Sequence, residues 1–276
     1  MSWEQNRRQF FQTAGLAAVA GSIPASRAIA KGKKTPLTLG LASYSFRKFK
    51  TDDTIAMTRR LGLTKICFKS MHLALDAGEA DIKATVARVK AAGLDLYSGG
   101  VIYMKSEQEV QQAFNYARMA EMKMIIGVPN YDLLELCDKK VKETGIMLAI
   151  HNHGPGDLLY PSPADVYQRI QKLDKRIGLC IDIGHTMRIG VDPAEAAAKY
   201  YDRLYDVHIK DVSAAAKEGK TVEIGRGVID MTKLVRLLQA KGYSGVLSLE
   251  YEKDEDDPLP GASESIGYMR GLMAAL

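Results

Sequence analysis

Eight short apolar runs, each followed by a stretch with helical periodicity, constrain this chain more than any other feature. The runs are Leu37–Phe46, Lys65–Lys69, Leu94–Gly99, Met124–Val128, Ile146–Asn152, Gly178–Ile183, Leu204–Ile209 and Val246–Tyr251. Most are apolar at nearly every position rather than at alternate ones, as parallel strands covered on both faces require. Helical stretches follow at Asp53–Leu61, Ala80–Ala92, Glu107–Ala120, Tyr131–Thr144, Pro163–Leu173, Pro193–Tyr201, Met231–Lys241 and Ser263–Ala275. Gly62, Gly93, Gly145 and Gly242 stand where helices should stop, and Pro163 and Pro193 where they should start. Eight strand–helix repeats with right-handed crossovers predict an α/β chain folded as a (β/α)8 TIM barrel, a single domain over residues 35–276. A doubly wound open sheet would normally carry a glycine-rich phosphate loop after an early strand, and none is visible.

The residues ahead of the barrel read differently. Arg7-Arg8-Gln9-Phe10-Phe11, a weakly apolar run from Ala14 to Ile23 and then Ala28-Ile29-Ala30 are the three parts of an export signal in order. The paired arginines followed by Phe suggest the twin-arginine kind, over residues 1–30, with the mature chain beginning near Lys31. The apolar run is too short to span a bilayer. A periplasmic protein without a stable membrane anchor after cleavage is therefore expected; a disordered or amphipathic arm is the competing reading.

Composition removes other classes. The formal charge of +5 is spread along the chain without a basic tract or interleaved aromatics, so no nucleic-acid partner is expected. Cys67, Cys137 and Cys180 are far apart and odd in number, which argues against a structural disulfide, and no CxxC spacing points to a thiolate zinc site.

Of the five histidines, four lie in the tails of three successive strands: His151-Asn-His153, Asp182-Ile-Gly-His185 and His208-Ile-Lys210-Asp211. A fourth tail, Glu250-Tyr-Glu252, repeats the pattern. His151, Asp182, His208 and Glu250 are each about one strand–helix unit apart, so they are expected to converge from four consecutive strands on the barrel's C-terminal face, where barrel enzymes keep their chemistry. Alone, a strand-end histidine is more often a structural residue, and an aspartate there is often a helix N-cap. Together they suit one divalent ion, Mn2+, Zn2+, Co2+ or Fe2+ rather than all-oxygen Ca2+, with Mn2+ the first to try. Glu252 rivals Glu250, since both face inward by the strand period of two.

Around this set, His153 and His185 are candidates to orient a ligand or to act on substrate as acid or base. Lys210 is a substrate-binding candidate whose competing role is an ion pair with Asp211. Lys69 and His72 end the second run and Tyr44 the first, which places them as candidates to line the mouth.

The motifs His151-Asn-His153, Asp182-x-x-His185, His208-Ile-Lys210-Asp211, Ile224-Gly-Arg-Gly227-Val-Ile-Asp230 and Gly242-Tyr-Ser-Gly245-x-Leu-Ser-Leu-Glu250 resemble the sugar phosphate isomerase/epimerase superfamily of xylose-isomerase-like barrels. That superfamily also contains inosose dehydratase and ketose 3-epimerases. The resemblance is dense in the second half; in the first half it rests on topology and Ser43-Tyr-Ser-Phe46. It implies a metal that polarises a sugar's carbonyl and hydroxyl, with proton transfer at the adjacent carbon. Epimerases of the family use two glutamates, one on each face of the substrate. Here His151 stands where the first would be and Glu250 is kept, so a symmetrical exchange is in doubt. His151 and Glu250 thereby become candidates for acid–base work as well as for metal binding. A metal-dependent isomerase or epimerase of a small carbohydrate is the leading expectation. The alternatives are a β-eliminating lyase or hydratase of 3-keto-glycosides and a non-catalytic sugar-binding barrel. A homo-oligomer is left open by the sequence.

Overall fold

The computed structural model describes residues 36–276, so the export signal read over residues 1–30 lies outside the described part. Eight parallel strands close into a barrel: β1 (Thr38–Ala42), β2 (Lys65–Phe68), β3 (Asp95–Met104), β4 (Met124–Pro129), β5 (Met147–His151), β6 (Ile177–Asp182), β7 (Leu204–Ile209) and, after a two-stranded ribbon of β8 (Asp211–Val212) and β9 (Thr221–Val222), β10 (Val246–Leu249). β10 pairs with both β7 and β1, which abolishes the sheet edge. The helices are α1 (Thr51–Arg60), α2 (Glu79–Ala91), α3 (Glu107–Met119), α4 (Leu134–Thr144), α5 (Pro163–Ile170), α6 (Ile183–Arg188), α7 (Pro193–Lys199), α8 (Met231–Lys241) and α9 (Leu259–Ala275). The architecture predicted from the apolar runs is the one observed.

Local chemistry explains where the chain turns. Ser106, Ser162, Asp192 and Asp230 cap α3, α5, α7 and α8 by accepting backbone N–H bonds, each worth about 1 kcal/mol. Gly145 and Gly242 follow α4 and α8 at φ of 73° and 69°, which other residues adopt only with strain. Arg203, 1% exposed, donates to the carbonyls of Leu173, Asp174 and Ile177 and so ties the start of β7 to the start of β6.

Several boundaries differ from the sequence reading; the third strand, for one, runs past Gly99 to Met104. The first strand stops at Ala42 rather than Phe46, because Ser43–Phe46 winds into a 3-10 turn. There the Ser45 hydroxyl donates to the Leu249 carbonyl and accepts from the Tyr251 amide, so this turn finishes the barrel seam. Ile183 is the first residue of α6 rather than the last of its strand. The final helix begins at Leu259, ahead of Ser263. Among the described residues, no helix is long and apolar enough to cross a membrane.

Candidate functional site

Four successive barrel strands deliver one side chain each to a buried cluster at their C-terminal ends. His151 is the last residue of β5 and Asp182 the last of β6; His208 is next to last in β7, and Glu250 follows β10. One ligand atom from each lies within 4.8 Å of the others, and all four residues are buried. His151 Nε2 is 3.4 Å from Asp182 Oδ2, and His208 Nδ1 is 3.4 Å from Glu250 Oε2. Glu250, rather than its rival Glu252, supplies the fourth corner.

The positions are fixed by the elements beneath. Asp182 works at both ends: Oδ1 caps α6 by accepting from the His185 amide at 2.8 Å, while Oδ2 faces the cluster. The helix-cap reading of Asp182 is met by Oδ1, and Oδ2 stays on the cluster, where the ligand reading needs it. Asn152 accepts from the Asp182 amide and donates to Thr186, which locks the end of β5 to that of β6.

Whether these residues fit a metal can be judged from what they lack. Buried polar side chains are nearly always hydrogen-bonded. Yet both ring nitrogens of His151 and of His208 are buried without a hydrogen-bond partner, and they converge with Asp182 Oδ2, whose ionic partner is the Lys210 ammonium. Two imidazoles with two carboxylates are the donor set of a borderline divalent ion. Cys180 also comes within 4.8 Å of His151 and His208, a proximity that cysteine spacing does not reveal. Burial pushes its thiol pKa up, away from the thiolate that metals take, so the carboxylate set is the better fit.

Electrostatics sort the rest. Lys210, 2% exposed, does not pair with Asp211 as one reading had it. Its Nζ lies 3.0 Å from Asp182 Oδ2, 2.8 Å from Glu250 Oε2 and 2.6 Å from Glu252 Oε1. Burial disfavours its charge, but Asp182, Glu250 and Glu252 outweigh that and hold its pKa well above the usual lysine value. Burial likewise opposes ionisation of Glu250, and Lys210 with His208 reverses the balance, so this carboxyl stays well below its ordinary range. Gly184 makes the passage: a Cβ there would overlap the Lys210 chain. Asp211 instead accepts from the amides of Val212, Gly225, Gly227 and Ile229, so the Gly-Arg-Gly motif is a loop clamp.

His153 and His185 flank the cluster. The His153 ring lies 4.4 Å from that of His151 and stacks on exposed Tyr103, whose hydroxyl is 3.1 Å from its Nε2. His185 Nε2 is 3.9 Å from Asp182 Oδ2. Burial pushes the His153 pKa down to about 3 and those of His185 and His151 down to about 4, so all three rings are neutral at neutral pH. Lys69 donates to the Val101 carbonyl at 2.6 Å and sits over the Tyr103 ring, which keeps it on the mouth; its pKa is lowered by burial. Tyr44 is half-buried with the Arg47 guanidinium over its ring.

His72 is a correction. It is 4% exposed, with Nδ1 held 2.8 Å from the Ser43 hydroxyl and Nε2 3.0 Å from the Thr54 hydroxyl, so neither nitrogen is left for a substrate. Beside the site, a cavity of about 570 Å3 is lined by Arg188, Ser213, Lys220, Thr221, Glu252 and Lys253 among others.

Comparison with known proteins agrees with this fold. Residues 131–272 match a family described as xylose isomerase-like TIM barrel. The inosose dehydratase of Lacticaseibacillus casei is 27% identical over 157 residues, which cover 51% of this chain and 52% of that protein. The chain thus spans about half the length of the first curated relatives it matches. A xylose isomerase domain protein from Alicyclobacillus acidocaldarius superposes with a TM-score of 0.72 at 19% identity, over 86% of this chain and 98% of that one. The 3-keto-D-glucoside 4-epimerase of E. coli does so at 0.70 and 16%, over 85% and 99%. With a family match over more than half its length, and with the closed barrel and cluster that match leads one to expect, this chain belongs to the xylose isomerase-like TIM barrel family.

Proposed function

We propose that the chain is a divalent-metal-dependent enzyme that removes a proton from the carbon next to a carbonyl of a small carbohydrate. The observation that carries this reading is the convergence of buried side chains of His151, Asp182, His208 and Glu250, with the imidazole nitrogens of His151 and His208 left without a hydrogen-bond partner, on the face where barrel enzymes react. These four residues would hold the ion, Mn2+ being the first choice. When bound, such an ion supplies Lewis acidity to a carbonyl and an adjacent hydroxyl.

The chain's own residues do the rest. His153 and His185, neutral near pH 7 because burial disfavours their charge, are the bases within reach of the cluster. Lys210 keeps Asp182 and Glu250 ionised and in place. Tyr44, Lys69 and Tyr103 line the mouth and orient the sugar. The relatives' printed activities, dehydration of inosose and epimerisation of a 3-keto-glucoside, are both consistent with proton removal beside a carbonyl.

A second reading, β-elimination from a 3-keto-glycoside, draws support from one asymmetry. The neutral imidazoles His151, His153 and His185 all come from the ends of β5 and β6, so the base lies on one side of the site. One base suffices for elimination, whereas symmetrical epimerisation needs one on each face. The twin-arginine-like N-terminus supports a periplasmic setting, which suits free glycosides. Incubating the Mn2+-loaded chain with ketoses, inososes and 3-keto-glycosides in D2O is the test. Deuterium uptake at the carbon beside the carbonyl supports proton abstraction, and loss of water or of an alcohol selects elimination. Stoichiometric sugar binding with neither would leave a sugar-binding barrel as the account.

A further inference from the structure

One lysine at the mouth is held more firmly than orienting a sugar requires. Lys69 directly follows β2, and in the closed strand order β2 stands opposite β6, which leads into the helix that carries His185. Three contacts fix it. Its amide donates to the Ser43 hydroxyl at 2.8 Å, its carbonyl accepts from the amides of His72 and Leu73 at 2.9 and 3.3 Å, and its Nζ donates to the Val101 carbonyl at 2.6 Å. The side chain is half-buried, yet among the described residues no carboxylate oxygen lies within 4 Å of Nζ, whereas Lys210 meets three carboxylates. Taking an ammonium out of water without a counter-ion is costly. Burial accordingly lowers its pKa, an effect that Glu250 and Cys67 only partly offset. The Tyr103 ring links it to a base: its centroid is 5.8 Å from Lys69 Nζ and 5.6 Å from that of the His153 ring.

We propose that Lys69 is a catalytic residue, the general acid that protonates the oxygen departing in β-elimination. This rests on the elimination reading above, which needs an acid besides its base. In a 3-keto-glycoside, His153 or His185 takes the proton from C2, beside the C3 carbonyl, and the electron pair left there forms the C1–C2 double bond as the C1–O bond breaks. The pair of the broken bond stays on the departing oxygen, Lys69 gives that oxygen an N–H proton, and an alcohol leaves. The neutral amine then regains a proton from water, so no oxidant or reductant enters. An alkoxide leaves poorly by itself, and a positioned acid contributes about 10^2- to 10^4-fold to such a step. A desolvated lysine gives up its proton more readily than one in water, whereas an arginine in its place stays charged.

Leaving-group dependence tests this. The Mn2+-loaded chain is incubated in D2O with methyl and 4-nitrophenyl 3-keto-β-D-glucopyranosides, and release of the alcohol is compared with deuterium uptake at C2 of the remaining substrate. Methanol needs the acid in order to leave; 4-nitrophenol departs as an anion. In Lys69→Gln, which keeps a donor for the Val101 carbonyl, release relative to uptake should fall about 100-fold or more for the methyl glycoside and only a few-fold for the nitrophenyl one. Lys69→Arg, which keeps the charge, should show the same split and serves if Lys69→Gln does not fold. Equal losses for the two leaving groups, or wild-type release in Lys69→Arg, overturn the proposal and reduce Lys69 to a binding or charge role. Uptake without release in the wild type also overturns it and leaves proton abstraction standing. A wild type with neither uptake nor release overturns the proton-abstraction reading and the role of Lys69 with it.

Discussion

The two halves of the barrel end their strands in similar residue types and use them in opposite ways. At the ends of β1 and β2, Ser43, Ser45 and His72 form a closed network: Ser43 accepts from the Lys69 amide and meets His72, while Ser45 bridges to Leu249 and Tyr251. At the ends of β5 and β7, His151 and His208 keep buried ring nitrogens without a hydrogen-bond partner. Satisfied polar groups stiffen a fold; convergent unsatisfied ones cost stability and mark a site. A histidine at a strand end carries no functional meaning until its second nitrogen is accounted for.

The sharpest way to break this comparison is to delete one histidine from each half. His151→Ala should lower kcat/KM in the exchange assay by about 10^3-fold or more, some 4 kcal/mol of transition-state stabilisation. His72→Ala should leave kcat within a few-fold and destabilise the chain by about 2 kcal/mol in urea melts, because the Ser43 and Thr54 hydroxyls lose their partner. Equal losses of turnover would erase the distinction between the halves.

The pH response of the metal-free chain follows in size. His151 and His185 titrate at about 4 when folded and near 6.5 when unfolded, so the unfolded chain binds more protons between those values. Stability should therefore fall as pH drops from about 6.5 to 4, by a few kcal/mol, as the unfolded state gains protons the folded rings refuse. Below about 4, Asp182 and Glu250, whose folded pKa values are depressed, add a second loss in the same direction. Urea melts at pH 7, 6 and 5 read the first window, and His151→Gln should flatten it; a flat wild-type profile would contradict the burial account.

Smaller effects sharpen the picture. Gly184→Ala pushes a methyl into Lys210 and should cost roughly 10-fold in turnover with little change in melting, about 1.4 kcal/mol on the barrier; unaltered kinetics would mean Lys210 does not organise the carboxylates. Ser162→Ala, remote from the cluster, should cost about 1 kcal/mol of stability through the lost α5 cap and nothing in turnover.

How much of this was legible in the sequence depends on whether a local rule governs each residue. The barrel was, because buried parallel strands must be apolar throughout and glycine and proline mark the helix ends. The four cluster residues were, because strand tails one repeat apart must converge. Glu250 was preferred to Glu252 only for lying nearer the strand body; the contact that separates them, Glu250 Oε2 against His208 Nδ1, joins residues far apart in sequence and leaves no local trace. Ser43 and Ser45 read as strand because their turn is set by partners across the barrel seam. Cys180 had a usable signal, standing two residues before Asp182 and so facing inward by the strand period. His72 looked like a mouth residue because its partners Ser43 and Thr54 are distant in sequence.

Metal content tests the central claim most directly. The chain, loaded with Mn2+ or Zn2+ and desalted, is analysed beside the double variant Asp182→Ala/His208→Ala, with thermal melts in EDTA. The account predicts about one equivalent of metal in wild type, none in the variant, and a wild-type melting temperature that drops on chelation. Metal-free wild type indifferent to EDTA and to added Mn2+, or a variant that keeps its ion, would contradict it.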